Sequence, residues 1–436
     1  MRKALFALFA VALALAAPAA AGSQPLPQDL FVEAALYSNV VTVHGEDLDQ
    51  FEIVLALKNP AGAVLAEMDV FPPYGLDGDQ ATLFLTDFTD AAAYTGLLPG
   101  EWLELEFRYH GEPGPKVSHL LSDITVTSVN VGADTIRGTI LPRKSPTAYV
   151  SFSGMKFVPG GLPPYYSNEV PVRADGTFSV NAAGAADLVR NGQLFVGYQY
   201  DVFGVYVNGF VPGLVVLEDT QWAIATGTPL MSYKGKIVKP NGEIRGTSAA
   251  QPLQWLGIGL FQFHKGRAGA PIRRGDTVKV AGDFPYSVQV PKNFRVQIVE
   301  NADFSAGVVP DPPIASSSVV LTAPADNLVC LAFTDGFTVD YLNFNFSCGT
   351  LDQLVTIFPN AAIDPDGKLV IALVDTSYPG PYPGSAAIAF TGGATGDVFV
   401  SHAGLQNPLS FLLTNLEEIM YGTPPPPPPP VAPTLP

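Results

Sequence analysis

Charged side chains are scarce in this chain, 14% of its residues, while 47% are hydrophobic. A chain so apolar has too much to bury to stay disordered. No uninterrupted apolar run of membrane-spanning length follows residue 21, which excludes a helical membrane protein. Positive charge is the scarcer sign. Only 23 Lys and Arg stand against 40 Asp and Glu, a net charge of −17. That balance argues against nucleic acid or an anionic membrane surface as partner and leaves cations as candidates. Histidine is rare too, and His44, His110, His119, His264 and His402 never fall at a spacing that suggests a shared metal. There is no Gly-x-Ser-x-Gly elbow, phosphate loop or dinucleotide fingerprint. Long periodic helices are missing.

What is present begins with an export signal. Arg2 and Lys3 precede the apolar stretch Ala4 to Ala17, and Ala19-Ala20-Ala21 supplies the small residues a signal peptidase reads. Residues 1–21 are therefore expected to be a secretory signal peptide of bacterial type. No Cys stands near the cut, so no lipoprotein anchor is expected. The mature chain, Gly22–Pro436, is two positive charges poorer than the whole. Its expected place is outside the cell or on its surface, with the periplasm as the other option.

The body reads as strands. Over Glu101–His110, Leu103, Leu105, Phe107 and Tyr109 alternate with Trp102, Glu104, Glu106 and Arg108, the period of two of a half-buried strand. Phe294, Val296 and Ile298 alternate with polar residues likewise, as do Leu342, Phe344 and Phe346. Between such runs stand Asp175-Gly176, Asn241-Gly242, Asp335-Gly336 and Asp366-Gly367, dipeptides that tolerate the positive φ of tight hairpin turns. Asp90–Tyr94 and Ala185–Val189 have room for one helical turn each.

Repetition is the stronger signal. Ser38–His44 into Gly45, Ala133–Arg137 into Gly138, Pro240–Arg245 into Gly246 and Asp364–Leu369 into Val370 look like one opening element. The second and third share Ile-Arg-Gly-Thr outright. A strand, short connector and strand recur after each, for example Thr177–Asn181 to Leu194–Tyr200 and Tyr286–Val290 to Phe294–Val299. The first three copies lie about 100 residues apart, the size of one β-sandwich domain. Within the first, Leu97-Leu98-Pro99-Gly100-Glu101-Trp102-Leu103 resembles the Leu-x-Pro-Gly lead into a late strand of fibronectin type III domains, with Leu103 where that family usually has a corner Tyr. The resemblance covers one repeat and implies a class: an all-β chain of tandem immunoglobulin-like or fibronectin-like sandwiches. Expected domains are 28–121, 122–228, 229–350 and a short last one at 351–422, followed by a tail at 423–436. Pro424 to Pro430 are consecutive prolines, which adopt extended polyproline II and serve as a stiff spacer or a docking peptide.

Candidate sites are few. The two cysteines, Cys330 and Cys348, are expected to pair, as in other exported proteins. Cys348 lies on the apolar parity, but a two-residue turn at Asp335-Gly336 would place Tyr341 opposite Cys330, so pairing needs a wider loop or a bridge between sheets. Acidic clusters at Asp47 and Asp49, at Asp77 and Asp79, and at Asp364 and Asp366 offer hard oxygen ligands for calcium, and the same residues simply make turns. No other cofactor is expected. Tyr165-Tyr166 and Tyr378 with Tyr382 sit in Pro- and Gly-rich loops where exposed rings stack on sugars or pack a turn. Arg274-Gly275-Asp276 is the tripeptide that some adhesive loops present. Carboxylates are plentiful enough for a glycoside-hydrolysing pair, but nothing singles one out, and small sandwiches seldom build a deep cleft.

The expectation is a protein without catalytic activity. One reading is an exported structural or adhesive surface protein that self-associates into rods or filaments or binds other surface proteins. The other is a secreted accessory that binds carbohydrate. A third, an outer-membrane barrel, draws on apolar stretches such as Leu194–Phe203, against the roughly 100-residue period. For assembly, the last domain offers five strand candidates, including Leu354–Phe358 and Leu409–Leu416, where a full sandwich has seven. Gly22–Asp29 leading into Leu30-Phe31-Val32 is the expected donor strand for such an edge in another molecule.

Overall fold

The computed structural model describes residues 26–70, 79–84, 96–153, 156–157, 162, 165–253, 257–300, 317–325, 327–334, 346–358, 361–373, 386–391 and 398–403. The expected signal peptide, the polyproline tail, Asp77, Tyr378, Tyr382, Asp90–Tyr94 and Leu409–Leu416 lie outside the described residues. The chain is all-β, its strands divided among six sheets that are mostly antiparallel. It forms two compact units: Met1–Ser122 with Tyr200–Val205, and Asp123–Gln199 with Tyr206–Pro436.

The first unit is a seven-stranded sandwich. One side is Phe31–Ala35, Val40–His44, Gln80–Phe84, three successive strands of a seven-stranded sheet. The other runs Val64–Val70, Phe51–Lys58, Trp102–Tyr109, Lys116–Leu120. Period-two alternation supplies the core between them: Val32, Ala34, Val41 and Val43 from one sheet meet Ile53, Leu55, Leu57, Leu103, Leu105 and Phe107 from the other, all at 0% exposure. Each larger side chain so buried contributes about 1.5–3 kcal/mol. The fifth strand pairs with the second rather than the fourth, a crossover from one sheet to the other characteristic of immunoglobulin-class sandwiches. Leu97 is buried and Gly100 has φ +85, so Leu-Leu-Pro-Gly turns the chain into the sixth strand where the resemblance places it. Leu103, in the corner position, is an ordinary core residue.

The expected donor segment, Gly22–Asp29 into Val32, ends inside a strand of its own chain, and residues 22–25 lie outside the described residues. Phe31–Ala35 pairs along Val40–His44 on one side, and the Val32 N–H donates to the Val202 carbonyl on the other at 2.8 Å. Removing it would expose Val32 and Ala34, both buried in this chain's own core.

The second unit departs further from expectation. Its largest sheet runs Lys156–Phe157, Phe346–Gly349, Val329–Thr334, Ala386–Thr391, Val398–Ala403, Gly213–Leu217, Trp222–Thr226, Ile258–Gln262. Two of its neighbours are parallel: Lys156–Phe157 with Phe346–Gly349, and Gly213–Leu217 with Val398–Ala403. This sheet draws strands from all three stretches expected as separate domains after residue 121. Ser317–Thr322 on Leu369–Leu373 crosses residue 350 as well. The boundaries expected at 228 and 350 therefore do not divide the sheets. Local repeats specify hairpins, whereas which hairpin edges meet depends on apolar faces far apart in the chain.

The repeats themselves are real as hairpins. Ile136–Thr139 and Ile244–Thr247 each lie in the second strand of a bulged hairpin, Asp123–Asn130 with Thr135–Leu141 and Ser232–Val238 with Ile244–Pro252. A Cβ on Gly138 would sit 2.4 Å from the Phe178 ring, and one on Gly246 2.4 Å from the Ala270 Cβ, so both glycines admit a close neighbour. The Asp-Gly and Asn-Gly turns at Arg173–Thr177, Lys239–Glu243 and Asp364–Lys368 share one bonding pattern, with Gly176, Gly242 and Gly367 at φ +82, +87 and +77. This is the three-residue hairpin loop closed by a glycine bulge. The element expected at Asp364–Leu369 is thus mostly turn. Ala185–Val189 contains no helix, only a turn bonded back to the Ala182 carbonyl. Leu354–Phe358, expected as a strand, is the end of a helix, Leu351–Ile357. Thr350 and Gln353 cap it reciprocally, and Leu351 and Leu354, three apart, are its buried face.

Candidate functional site

The predicted site residues go mainly to structural tasks. Cys330 and Cys348 form a disulfide and sit directly opposite each other on antiparallel strands, their Cα atoms 4.0 Å apart. This register excludes a two-residue turn at Asp335-Gly336, which itself lies outside the described residues. Asp47 and Asp49 are exposed around the buried Leu48 in a single 3-10 turn, with Asp47 in the left-handed region at φ 54. The Asp79 carbonyl accepts the Gly45 N–H at 3.0 Å. Asp364 Oδ1 accepts the N–H groups of Asp366 and Lys368 at 2.9 and 2.8 Å, and Asp366 pairs with the Lys368 ammonium at 2.9 Å. Asp47, Asp364 and Asp366 thus stand in turns. Among the described residues no group of three or more His, Cys, Asp or Glu lies close enough to hold a metal ion.

Arg274-Gly275-Asp276 is equally committed. Asp276 is fully buried and takes a two-pronged ion pair from Arg245, Nε at 2.7 Å and Nη2 at 3.0 Å, plus the Arg273 N–H at 2.9 Å. Arg274 pairs with Glu218, which is 5% exposed, and Arg273 pairs with Asp219 at 2.7 Å. Burial pushes the Glu218 carboxyl above its ordinary value, with Arg274 pulling the other way. Burial likewise holds the nearby His402 imidazole below its ordinary value, although Asp219 opposes it. The tripeptide is a folded ionic junction, unable to present its carboxylate to a receptor.

The predicted tyrosines part company. Thr147–Ser153 lies between Tyr165–Pro171 and Gln193–Tyr200. Ala148, Val150 and Phe152 are buried, so Tyr149, Ser151 and Ser153 face solvent. Tyr165, opposite Ser153, shares that open face and is 61% exposed. Tyr166 takes the opposite side and stacks on Phe152 at 5.3 Å and 10°.

The open face carries a row of rings the sequence reading missed. Phe195 stands between the buried Leu194 and Val196, and Tyr206 between the buried Val205 and Val207, so both point outward. The Tyr149 and Phe195 rings meet edge to face at 5.7 Å, and Phe195 and Tyr206 stack at 4.7 Å and 30°. Tyr149 is 41% exposed, and its hydroxyl is hydrogen-bonded to Ser167. Ser153 donates to Gln193 Oε1 at 2.9 Å. A signal was available: all three aromatics occupy the polar parity of otherwise alternating strands, where core packing does not call for a ring.

No family model matches the chain, and no curated protein matches it. Among solved structures it is similar to a two-domain fibronectin type III segment of chicken tenascin, at 13% identity and TM-score 0.15 over 42% of this chain and 97% of that one. It is also similar to a ligand-free PulA mutant from Klebsiella pneumoniae, at 9% identity and TM-score 0.14 over 66% of this chain and 33% of that one. The chain thus spans a third of the second protein's length. Likenesses this slight decide nothing about function. The sandwich class rests on the strand order of the first unit.

Proposed function

We propose that the protein is an exported, non-catalytic surface protein that acts by contact, and that its contact surface is the open face of the sheet centred on Thr147–Ser153. The observation that carries this reading is the row Tyr149, Phe195, Tyr206, three aromatic rings held on the solvent side of adjacent strands. Tyr149 is exposed and Phe195 and Tyr206 are half-buried, so the row forgoes part of the burial that aromatic rings usually provide. The cross-strand disulfide supports export, because such bonds persist in oxidising compartments. The adhesive role belongs to this face and not to the Arg-Gly-Asp tripeptide, whose Asp is buried. Labelled mature protein applied to isolated cell envelopes of the producing organism tests the proposal. The wild type is expected to bind, and a Tyr149→Ser, Phe195→Ser, Tyr206→Ser variant with unchanged thermal unfolding is expected to lose binding. Equal binding by both would overturn it.

A further inference from the structure

Resting on that reading, we infer that the open aromatic face binds a neutral polysaccharide chain. The chemistry of the whole face selects the occupant. Its residues are those that alternate with the buried set on four neighbouring strands: Thr147–Ser153, Tyr165–Pro171, Gln193–Tyr200 and Phe203–Phe210. None of the outward-facing side chains on these four strands is a Leu, Ile, Val or Met. A protein partner's apolar core needs such aliphatic neighbours to close around an aromatic anchor and exclude water. Here the rings are surrounded instead by hydroxyl and amide groups, Ser151, Ser153 and Gln193 among them. A pyranose ring asks for that combination: an apolar C–H face to lie on an aromatic ring, and a rim of hydroxyls that both donate and accept hydrogen bonds.

Charge narrows the class. Among the outward side chains of these four strands there is no Lys or Arg, and the one charged group is Glu169, opposite Tyr149. The whole chain has a net charge of −17. An anionic polysaccharide would meet repulsion without a compensating cation. The row also crosses the strands instead of following one, with rings 5.7 and then 4.7 Å apart. Tyr165, the most exposed ring of the face, stands on the flanking strand. A platform drawn out in this way suits an extended chain better than a single compact molecule.

Affinity electrophoresis of the mature protein through gels containing dextran, soluble starch, hydroxyethylcellulose or galactomannan reads this directly, with polygalacturonate as the anionic control. At least one neutral polymer is expected to retard the protein, and polygalacturonate is not. Tyr149→Ala and Tyr165→Ala, both at exposed positions, are each expected to weaken retardation about tenfold. Hydrogen exchange of the wild type with the retarding polymer should show protection over 147–153 and 193–199, a readout independent of any variant. No retardation by any neutral polymer overturns the inference. So does retardation that neither variant weakens and that leaves the exchange of these strands unchanged. If the triple variant loses envelope binding while no neutral polymer binds, the contact face stands and the glycan falls. If the triple variant keeps envelope binding, the contact face itself falls.

Discussion

Asp276 turns a familiar tripeptide into a piece of scaffold. Its carboxylate is at 0% exposure and is held by the Arg245 guanidinium and the Arg273 N–H. Removing one partner of such a pair leaves the other without its counter-charge, and the cost is about 3 kcal/mol, at the low end of the range because Arg245 keeps some contact with water. Asp276→Ala is expected to lower the unfolding free energy by about that much in urea, and a loss under about 0.5 kcal/mol would contradict the geometry. His402 sets a pH dependence of the other kind. The unfolded imidazole titrates near 6.5 and the buried one lower, so between those values the unfolded chain binds more protons. Stability is therefore gained as pH rises through that window and lost on acidification below about 6.5. Melting curves at pH 5 and 7.5 are expected to lie closer together in His402→Gln than in the wild type. An unchanged separation would assign the slope to another group.

Elements show where local preference yields to position. Leu354–Phe358 is an apolar, β-branched run that reads as a strand, yet the capping box from Thr350 to Gln353 starts a helix just ahead of it. Once that box forms, Leu351 and Leu354 fall on one buried face and the strand alternative has no partner. Thr350→Ala removes the oxygen that accepts the Gln353 N–H and is expected to cost about 1 kcal/mol. Chemical denaturation of the two proteins checks it, and no difference would mean the cap is idle. The Ile-Arg-Gly-Thr hairpins make the complementary point. Thr177–Asn181 docks on the second strand of its hairpin, Thr135–Leu141, whereas Thr277–Gly282 docks on the first strand of its own, Ser232–Val238. One local sequence thus serves two sheet orders.

At the scale of the molecule, chain segments far apart complete one another. Residues 200–205 belong to the first unit, where Phe203, 1% exposed, stacks on the buried His119 at 5.2 Å. In the second unit the eight-stranded sheet spans Lys156 to Ala403. Within it the disulfide clamps Val329–Thr334 to Phe346–Gly349 and closes an 18-residue separation. In the chain-entropy account a loop of this size stabilises by about 3 kcal/mol. Reduction is expected to lower unfolding stability by about that amount, and thiol titration of the unreduced, denatured protein should find none free. Free thiols before reduction would contradict the pairing.

The sequence by itself determined what local chemistry controls. Alternation over Trp102–Tyr109 placed Leu103, Leu105 and Phe107 inside, and the Asp-Gly and Asn-Gly dipeptides placed the bulged turns, because side-chain parity and positive φ are properties of a few adjacent residues. The cysteine pair was legible from the count alone. Tertiary structure decided what depends on partners. It set which strands close the large sheet, kept Phe31–Ala35 at home, and buried Asp276 under Arg245. It also set Tyr149 beside Phe195 and Tyr206, which stand on two successive strands much further along the chain, and so made one row. Each of those ring positions was visible as an aromatic on a polar parity, but adjacency across strands comes from register, and register is settled only when distant apolar faces meet.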